Sequence, residues 1–146
     1  MISKLPNITT SIFTVMSKMA SDYNALNLSQ GFPNFKSDSY LIELVNKAMA
    51  EGYNQYAPMS GYLELRETIC DKTKLLHSKK YNSDTEITIT AGATQAIFTA
   101  IATVINKDDE AIIFTPAYDC YSPAIELFGG ITIPVQLKAP FFKPNW

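Results

Sequence analysis

Two short stretches of the sequence combine residue types that could hold a ligand. The first is TAGATQ, residues 90–95, whose small side chains leave room for a ligand to approach the backbone. If a helix begins here, the N–H groups of Ala93, Thr94 and Gln95 form an anion site, because unpaired donors and the helix dipole both favour phosphate. Small residues also occur wherever a strand turns into a helix, so a purely structural turn stays open. The stretch matches neither G-x-G-x-x-G nor G-x-x-x-x-G-K-[ST].

The second stretch is PAYDCY, residues 116–121. An aromatic residue directly after a buried strand, here Tyr118, can stack on a flat ligand or simply close the core. Asp119 is favoured as a helix N-cap over a general acid or base. Cys120 has no histidine near it in sequence, so we do not expect a nucleophile. The single histidine, His77, lies in the lysine-rich C-terminal end of a predicted helix and is expected to be a solvated residue that complements the helix dipole.

Composition excludes several classes of protein. The chain has 146 residues, 47% of them hydrophobic and 18% charged, which is typical of one globular domain. A net charge of −2 and a single arginine argue against nucleic-acid binding. Two cysteines and one histidine fit no disulfide scaffold and no metal site. Because there is no long apolar run and no signal-peptide pattern in residues 1–6, we expect a cytoplasmic protein that binds no membrane.

Hydrophobic periodicity predicts the elements that position both stretches. The pattern from residue 86 onwards indicates alternating strands and helices, which implies an α/β fold with a parallel sheet. In such a sheet ligands bind beyond the carboxyl ends of the strands, where both stretches lie. The predicted elements are a strand at 86–90, a helix at 94–106, a strand at 110–115, a helix at 119–128 and a strand at 131–137.

Upstream of this β-α-β-α-β pattern the sequence predicts three amphipathic helices. They cover about residues 9–23, capped by Thr9, Thr10 or Ser11, then 39–51 and 62–80. The last seven residues, PFFKPNW, are apolar and aromatic, whereas natural termini are more often polar and loose. We therefore expect the chain to be a fragment.

Four blocks of sequence carry a resemblance to a known family. Together they resemble class I, fold type I, pyridoxal-phosphate-dependent aminotransferases, and most of all the methionine and kynurenine aminotransferase group. The resemblance implies an N-terminal helical arm and the first β-α-β-α-β part of a three-layer α/β/α large domain, apparently truncated. It assigns residues 1–38 to the arm and the start of a small domain, and residues 39–146 to an incomplete large domain. The blocks are NLSQGFPNF at 27–35, NQYAPMSGYLELR at 54–66, TAGATQAIF at 90–98 and DEAIIFTPAYDCYSP at 109–123.

The resemblance implies roles for individual residues toward a pyridoxal phosphate cofactor. Ala93, Thr94 and Gln95 match the family's phosphate loop. Tyr118 matches the aromatic residue that stacks on the pyridine ring. Tyr56 matches a tyrosine that reaches across a homodimer to the partner's cofactor phosphate. The resemblance therefore implies a dimer that shares its cofactor sites.

The same resemblance implies two substrate contacts and exposes a missing residue. Gly31 matches the glycine whose backbone contacts the substrate α-carboxylate, and Phe13 matches an aromatic residue of the side-chain pocket. The chemistry also needs a lysine that forms a Schiff base and moves a proton at Cα, which the family carries as S/T-x-x-K. None of the 11 lysines here has Ser or Thr three residues earlier. We therefore expect no catalytic residue in this chain, and a structural role for Arg66.

Three functions compete at this point. In the first, the chain is the N-terminal fragment, inactive alone, of an enzyme that transfers the amino group of a methionine-like or aromatic amino acid to a 2-oxo acid. In the second, the short chain is a non-catalytic binding or dimerisation module. The third, an unrelated small α/β nucleotide-binding domain, requires the four blocks to be coincidence. A fragment should expose sheet edges and apolar helix stripes, so we expect marginal stability or association.

Overall fold

The computed structural model describes residues 3–6, 8–31 and 33–145. Phe32 of the NLSQGFPNF block and Trp146 of the apolar C-terminal run lie outside these residues. The chain divides into two compact units, one made of Met1–Ser29 with Ala91–Trp146 and the other of Gln30–Thr90. In chain order the elements are α1 (Ile12–Asp22), α2 (Ser39–Ala50), α3 (Leu63–His77), α4 (Ala93–Val104), β1 (Glu110–Thr115), α5 (Tyr121–Leu127) and β2 (Ile131–Gln136).

The first unit is built around a two-stranded parallel sheet. Strands β1 and β2 pair in register from Glu110 opposite Ile131 to Thr115 opposite Gln136, and α5 connects them. Helix α5 packs on both strands, and α4 packs on α5, where the rings of Phe98 and Phe128 lie 5.2 Å apart. The parallel pairing and the two strands confirm this part of the sequence prediction.

The buried apolar core of the first unit is small and lies between α5 and the sheet. Ile113 of β1 and Ala124 and Ile125 of α5 are its buried hydrophobic residues. Gly130 precedes β2 at a close approach, because a Cβ there would lie 2.7 Å from the Ile105 side chain. Many other large apolar side chains are exposed, among them Ile112 of β1 at 68%. The expected exposure of apolar surface is therefore confirmed for the described residues.

The second unit consists of α2, α3 and the segments that follow them. Asp38 caps α2 by accepting a hydrogen bond from the Tyr40 backbone N–H at 2.8 Å. Arg66 of α3 is only 7% exposed. Its guanidinium donates to the carbonyl oxygens of Gly61 and Ser83 and lies 3.3 Å from a carboxylate oxygen of Asp84. The predicted structural role of Arg66 is thus confirmed.

The predicted strand at residues 86–90 is wrong for this structure. None of these residues belongs to a strand, although Ile89 donates its N–H to the carbonyl of Ser60 at 2.9 Å. A strand requires a neighbour that pairs along its length, and residues 86–90 form no such ladder with the described part of the chain. The alternation of isoleucine and threonine fits a strand, but the pairing partner is not among the described residues of the second unit.

The predicted helices hold with small shifts at their ends. Ser11, one of three predicted caps, accepts from the Thr14 N–H at 3.4 Å and begins α1. His77 is the last residue of α3 and is exposed, as predicted. Asp119 does not cap α5, which begins after Cys120 without a side-chain cap, so that prediction is wrong. Within the described part of the chain, no helix has the length and apolar character needed to cross a membrane.

Candidate cofactor-binding site

The N-terminus of α4 has the backbone shape expected of an anion site. Gly92, the N-cap, has φ +99° and ψ 162°, a conformation that side chains other than glycine rarely adopt. No atom lies within 4 Å of where its Cβ would stand, so there is open space beside this backbone. The first-turn N–H groups of Ala93, Thr94 and Gln95 have no acceptor within their own helix. These donors can therefore bind a negatively charged group.

The Gln95 side chain stabilises this turn from within. Its Oε1 accepts a hydrogen bond from the Ala91 backbone N–H at 2.6 Å. Gly92 has no side chain with which to cap α4. The side chain of Gln95 at the third helical position reaches back past it to Ala91, one residue further than in a capping box. The amide oxygen of Gln95 is thus used by the loop. Of the Gln95 side chain, only the amide nitrogen remains as a donor for a ligand, in addition to the Gln95 backbone N–H.

We expect Gln95→Met to loosen the 91–93 turn while leaving the rest of α4 folded. Methionine has similar size but cannot accept the Ala91 N–H, so the turn should lose about 0.5–1.5 kcal/mol, the net value of one hydrogen bond. Hydrogen exchange of the Ala91 amide measures this directly. Gln95→Glu is the control because it keeps the accepting oxygen. Equal exchange in the Met variant and the parent would contradict this role for Gln95.

Tyr118 lies in an aromatic cluster, which is the second candidate feature for ligand binding. Its ring centroid is 6.1 Å from that of Phe13 of α1, at an interplanar angle of 43°. It is also 6.1 Å from the ring of Tyr121, at 66° and nearly edge-on. Tyr118 is 48% exposed, so it does not close the core. Part of its surface is therefore open to a ligand.

Two predicted residues, Phe13 and Tyr118, are thus brought together by the structure, although they are far apart in sequence. Sequence reasoning missed Tyr121, whose ring supports Tyr118. The signal was present in the PAYDCY stretch, because the two tyrosines lie three residues apart at the start of a helix. Residues so spaced are near each other when the chain turns helically.

Cys120, between these two tyrosines, is unsuited to nucleophilic chemistry. Burial, and to a lesser extent the negative charge of Asp119, raises the pKa of the Cys120 thiol above its usual value. The thiolate is the reactive form, so a raised pKa lowers its population at neutral pH. This agrees with the expectation that Cys120 is not a nucleophile. Among the described residues there is also no cluster of His, Cys, Asp and Glu side chains that could bind a metal.

The remaining predicted residues, Gly31 and Tyr56, belong to the second unit. Both are exposed, and Tyr56 is fully so. Tyr56 lines a groove of about 340 Å³ together with Tyr53 and Tyr62, whose rings meet edge-on at 6.2 Å. The charge of Glu64 and contact with Tyr53 contribute, after burial, to raising the pKa of Tyr62.

The first unit offers features that fit a flat ligand bearing a phosphate. An open backbone turn with free N–H donors suits the phosphate, and a half-exposed aromatic ring suits a planar heterocycle. Pyridoxal phosphate has both parts, so the residues present fit the portions of it that this chain could contact. They do not supply the lysine, since no lysine stands in the S/T-x-x-K setting.

These features define an α/β protein with two candidate ligand-binding features. Tyr118 follows the parallel strand β1, and the Gly92 turn begins helix α4. The chain belongs to the aminotransferase class I and II family, whose model matches residues 23–146. It is 48% identical over 144 residues to a methionine aminotransferase of Escherichia coli, covering 99% of this chain and 37% of that protein. It is 34% identical over 129 residues to a kynurenine–oxoglutarate transaminase of Dictyostelium discoideum, covering 88% of this chain and 30% of that one.

Solved structures of aminotransferases share the fold. An Escherichia coli protein described as having a methionine aminotransferase function matches with a TM-score of 0.93 and 48% identity, over 99% of this chain and 38% of that chain. N-succinyldiaminopimelate aminotransferase from Mycobacterium tuberculosis matches with a TM-score of 0.87 and 32% identity, over 96% and 36%. The predicted α/β fold of fold type I aminotransferases is confirmed. The chain spans little more than a third of the length of these relatives.

Proposed function

We propose that this chain is the N-terminal part of a pyridoxal-phosphate-dependent aminotransferase. The complete protein transfers the amino group of a methionine-like or aromatic amino acid to a 2-oxo acid. The observation that carries the proposal is the 48% identity with a methionine aminotransferase over nearly the whole chain. The half-exposed Tyr118 and the open turn at Gly92 support it. A cytoplasmic location is part of the proposal, and both cysteines are free, as a reducing compartment requires.

Each predicted residue has a part in the proposed site. The N–H groups of Ala93, Thr94 and Gln95 bind the cofactor phosphate, and Tyr118 orients the pyridine ring by stacking. When bound, pyridoxal phosphate supplies an electron sink for the electron pair released as the substrate Cα loses its proton. Phe13 shapes the side-chain pocket.

Two predicted residues of the second unit, Gly31 and Tyr56, have proposed roles of their own. The Gly31 backbone binds the substrate α-carboxylate. The full exposure of Tyr56 supports a role outside its own subunit, at the partner's cofactor phosphate in a homodimer. In the complete protein, residues 1–38 form the arm and the start of the small domain, and residues 39–146 begin the large domain.

The proposal is tested at the gene and then at the protein. An open reading frame that continues past codon 146 and contains an S/T-x-x-K segment is the expected finding. That longer protein should transfer amino groups from methionine or aromatic amino acids to 2-oxo acids, whereas the 146-residue chain should not. A stop codon after residue 146 in the natural transcript would favour the alternative, a non-catalytic binding or dimerisation module.

The short chain should form no specific lysine adduct with pyridoxal phosphate. It has no lysine in the setting that the family uses, so only scattered, partial labelling of surface lysines is expected. The purified chain is mixed with pyridoxal phosphate, reduced with borohydride, digested and analysed by mass spectrometry. One lysine labelled to stoichiometry would show that the chain carries its own reactive lysine and that this part of the proposal is wrong.

Removing the Tyr118 ring should weaken cofactor retention in the longer protein. Tyr118→Ala should cost about 0.5–1.5 kcal/mol of binding free energy, the usual value of an aromatic pair beyond area burial. Tyr118→Phe keeps the ring and should cost less. Cofactor dissociation constants for the three proteins provide the measurement. If the Ala variant retains cofactor as well as the parent does, Tyr118 does not stack on it.

A further inference from the structure

We propose that Tyr121 is a positioning residue that fixes the orientation of the Tyr118 ring. The inference rests on the proposed function, in which Tyr118 meets the flat ring of the cofactor. The Tyr121 ring approaches Tyr118 nearly edge-on, with centroids 6.1 Å apart and an angle of 66°. The Tyr121 backbone N–H also donates to the Tyr118 carbonyl at 3.4 Å. Main chain and side chain of Tyr121 thus both act on Tyr118.

The two tyrosines differ in how firmly they are anchored. Tyr118 lies in the loop between β1 and α5, and half of its surface is exposed. Tyr121 is the first residue of α5, and Ala124 and Ile125 hold that helix in the core at 5% exposure each. A loop side chain has several rotamers open to it, whereas an edge-on ring on a buried helix restricts them. Because Tyr121 is held by a buried helix, its ring limits the rotamers that the Tyr118 side chain can adopt.

Phe13 completes the arrangement from the other chain segment. Its ring meets Tyr118 at 43° and 6.1 Å, so Tyr118 has aromatic neighbours at two different angles. Two such contacts restrict rotation of the ring more than one does. The contact from Tyr121 is made by ring atoms, so phenylalanine at this position should replace it, whereas leucine should not.

The test compares Tyr121→Leu and Tyr121→Phe in the 146-residue chain without ligand. Hydroxyl-radical labelling, read by mass spectrometry, reports how accessible the Tyr118 ring is. In Tyr121→Leu the labelling of Tyr118 should increase, by at most about twofold because the ring is already 48% exposed. Tyr121→Phe should label Tyr118 as the parent does. Tyr40→Leu, which removes an exposed tyrosine from α2, is the matched control and should change nothing at Tyr118.

The second measurement, made on the longer protein freed of its cofactor, is binding of pyridoxine 5′-phosphate, which has the flat ring and the phosphate but no aldehyde to react with lysines. Its fluorescence reports stacking. The dissociation constant should rise about two- to tenfold in Tyr121→Leu, the range that one aromatic contact contributes, and return to the parent value in Tyr121→Phe. Tyr121→Ile replaces Tyr121→Leu if the latter loses the far-ultraviolet circular dichroism of the parent.

The outcomes separate the inference from the proposed function. Equal labelling of Tyr118 in the parent and in Tyr121→Leu overturns the positioning role. So does unchanged binding in Tyr121→Leu when Tyr118→Leu weakens it. If that longer protein, unsubstituted, binds no pyridoxine 5′-phosphate, the proposed function is contradicted, while the labelling of Tyr118 still decides whether Tyr121 positions it.

Discussion

Gly61→Ala should be among the most damaging substitutions in the second unit, lowering its free energy of unfolding by about 2–5 kcal/mol. Two effects add at this position. The backbone has φ +98°, where a residue with a Cβ is strained by roughly 1–2 kcal/mol. The new Cβ would also lie 2.3 Å from Cγ1 and 2.5 Å from Cβ of Ile89. Such overpacking typically costs about 1–3 kcal/mol.

Two further variants separate these effects. Gly52 has a similar φ of +93° but nothing within 4 Å of the position of a Cβ, so Gly52→Ala carries the strain without the clash. Ile89→Ala removes the clash with Cγ1 but keeps that with Cβ, so it should relieve part of the overpacking and cost less in the Gly61→Ala background than in the parent. Hydrogen exchange of peptides from residues 60–90 measures the stability of this unit. If Gly61→Ala and Gly52→Ala lower the free energy of unfolding equally, the Ile89 side chain moves away from the new methyl group without cost.

Arg66→Met should destabilise the same unit by about 2–4 kcal/mol. Methionine fills much of the space, but the carbonyl oxygens of Gly61 and Ser83 lose the guanidinium that now donates to them. A buried acceptor left unpaired costs about 1–3 kcal/mol. The ion pair adds little, since the Asp84 side chain is 73% exposed and surface pairs contribute about 0–1 kcal/mol.

Asp84→Asn is the matched control for Arg66→Met, because it removes only the charge partner. It should cost less than about 1 kcal/mol. Urea unfolding, together with exchange of residues 60–90, compares the two. A loss for Asp84→Asn as large as that for Arg66→Met would mean that the ion pair, not the carbonyl contacts, stabilises the unit. Gly61 and Arg66 lie shortly after Tyr56 in the chain. Gly61→Ala and Arg66→Met should therefore also disturb the proposed contact of Tyr56 with the partner subunit.

Local patterns in the sequence were enough to predict most helices and both observed strands. Ser11 is the N-cap of α1, as its residue type predicts. Gly52, just after α2, has a positive φ, which glycine adopts readily. The strand at 86–90 failed for a physical reason. Alternating Ile87 and Ile89 describe a surface that suits pairing, but pairing depends on a second segment that the local pattern does not contain.

The candidate site was predictable in part, and mainly through the family blocks. The residue types at 90–95 were compatible both with a purely structural loop and with an anion site. Geometry added what the sequence could not contain, namely the contact of Phe13 with Tyr118 and the use of the Gln95 side chain by Ala91. Asp119 was misread because a cap is defined by the backbone, and the helix begins one residue later than a cap at Asp119 would require. The roles of all the predicted site residues toward cofactor and substrate stay predictions: Phe13, Gly31, Tyr56, Ala93, Thr94, Gln95 and Tyr118.

The discontinuity of the first unit has a consequence for how the chain folds. This unit joins Met1–Ser29 to Ala91–Trp146, with all of Gln30–Thr90 between them. Contacts of such high sequence separation slow folding, whereas the second unit closes through nearer contacts such as that of Arg66 with Ser83. We therefore expect the second unit to form first. During synthesis at about 5–20 residues per second, α1 leaves the ribosome several seconds before Tyr118 exists to receive Phe13. That helix carries apolar side chains, Ile12 and Met19 among them, which therefore stay uncovered throughout this interval.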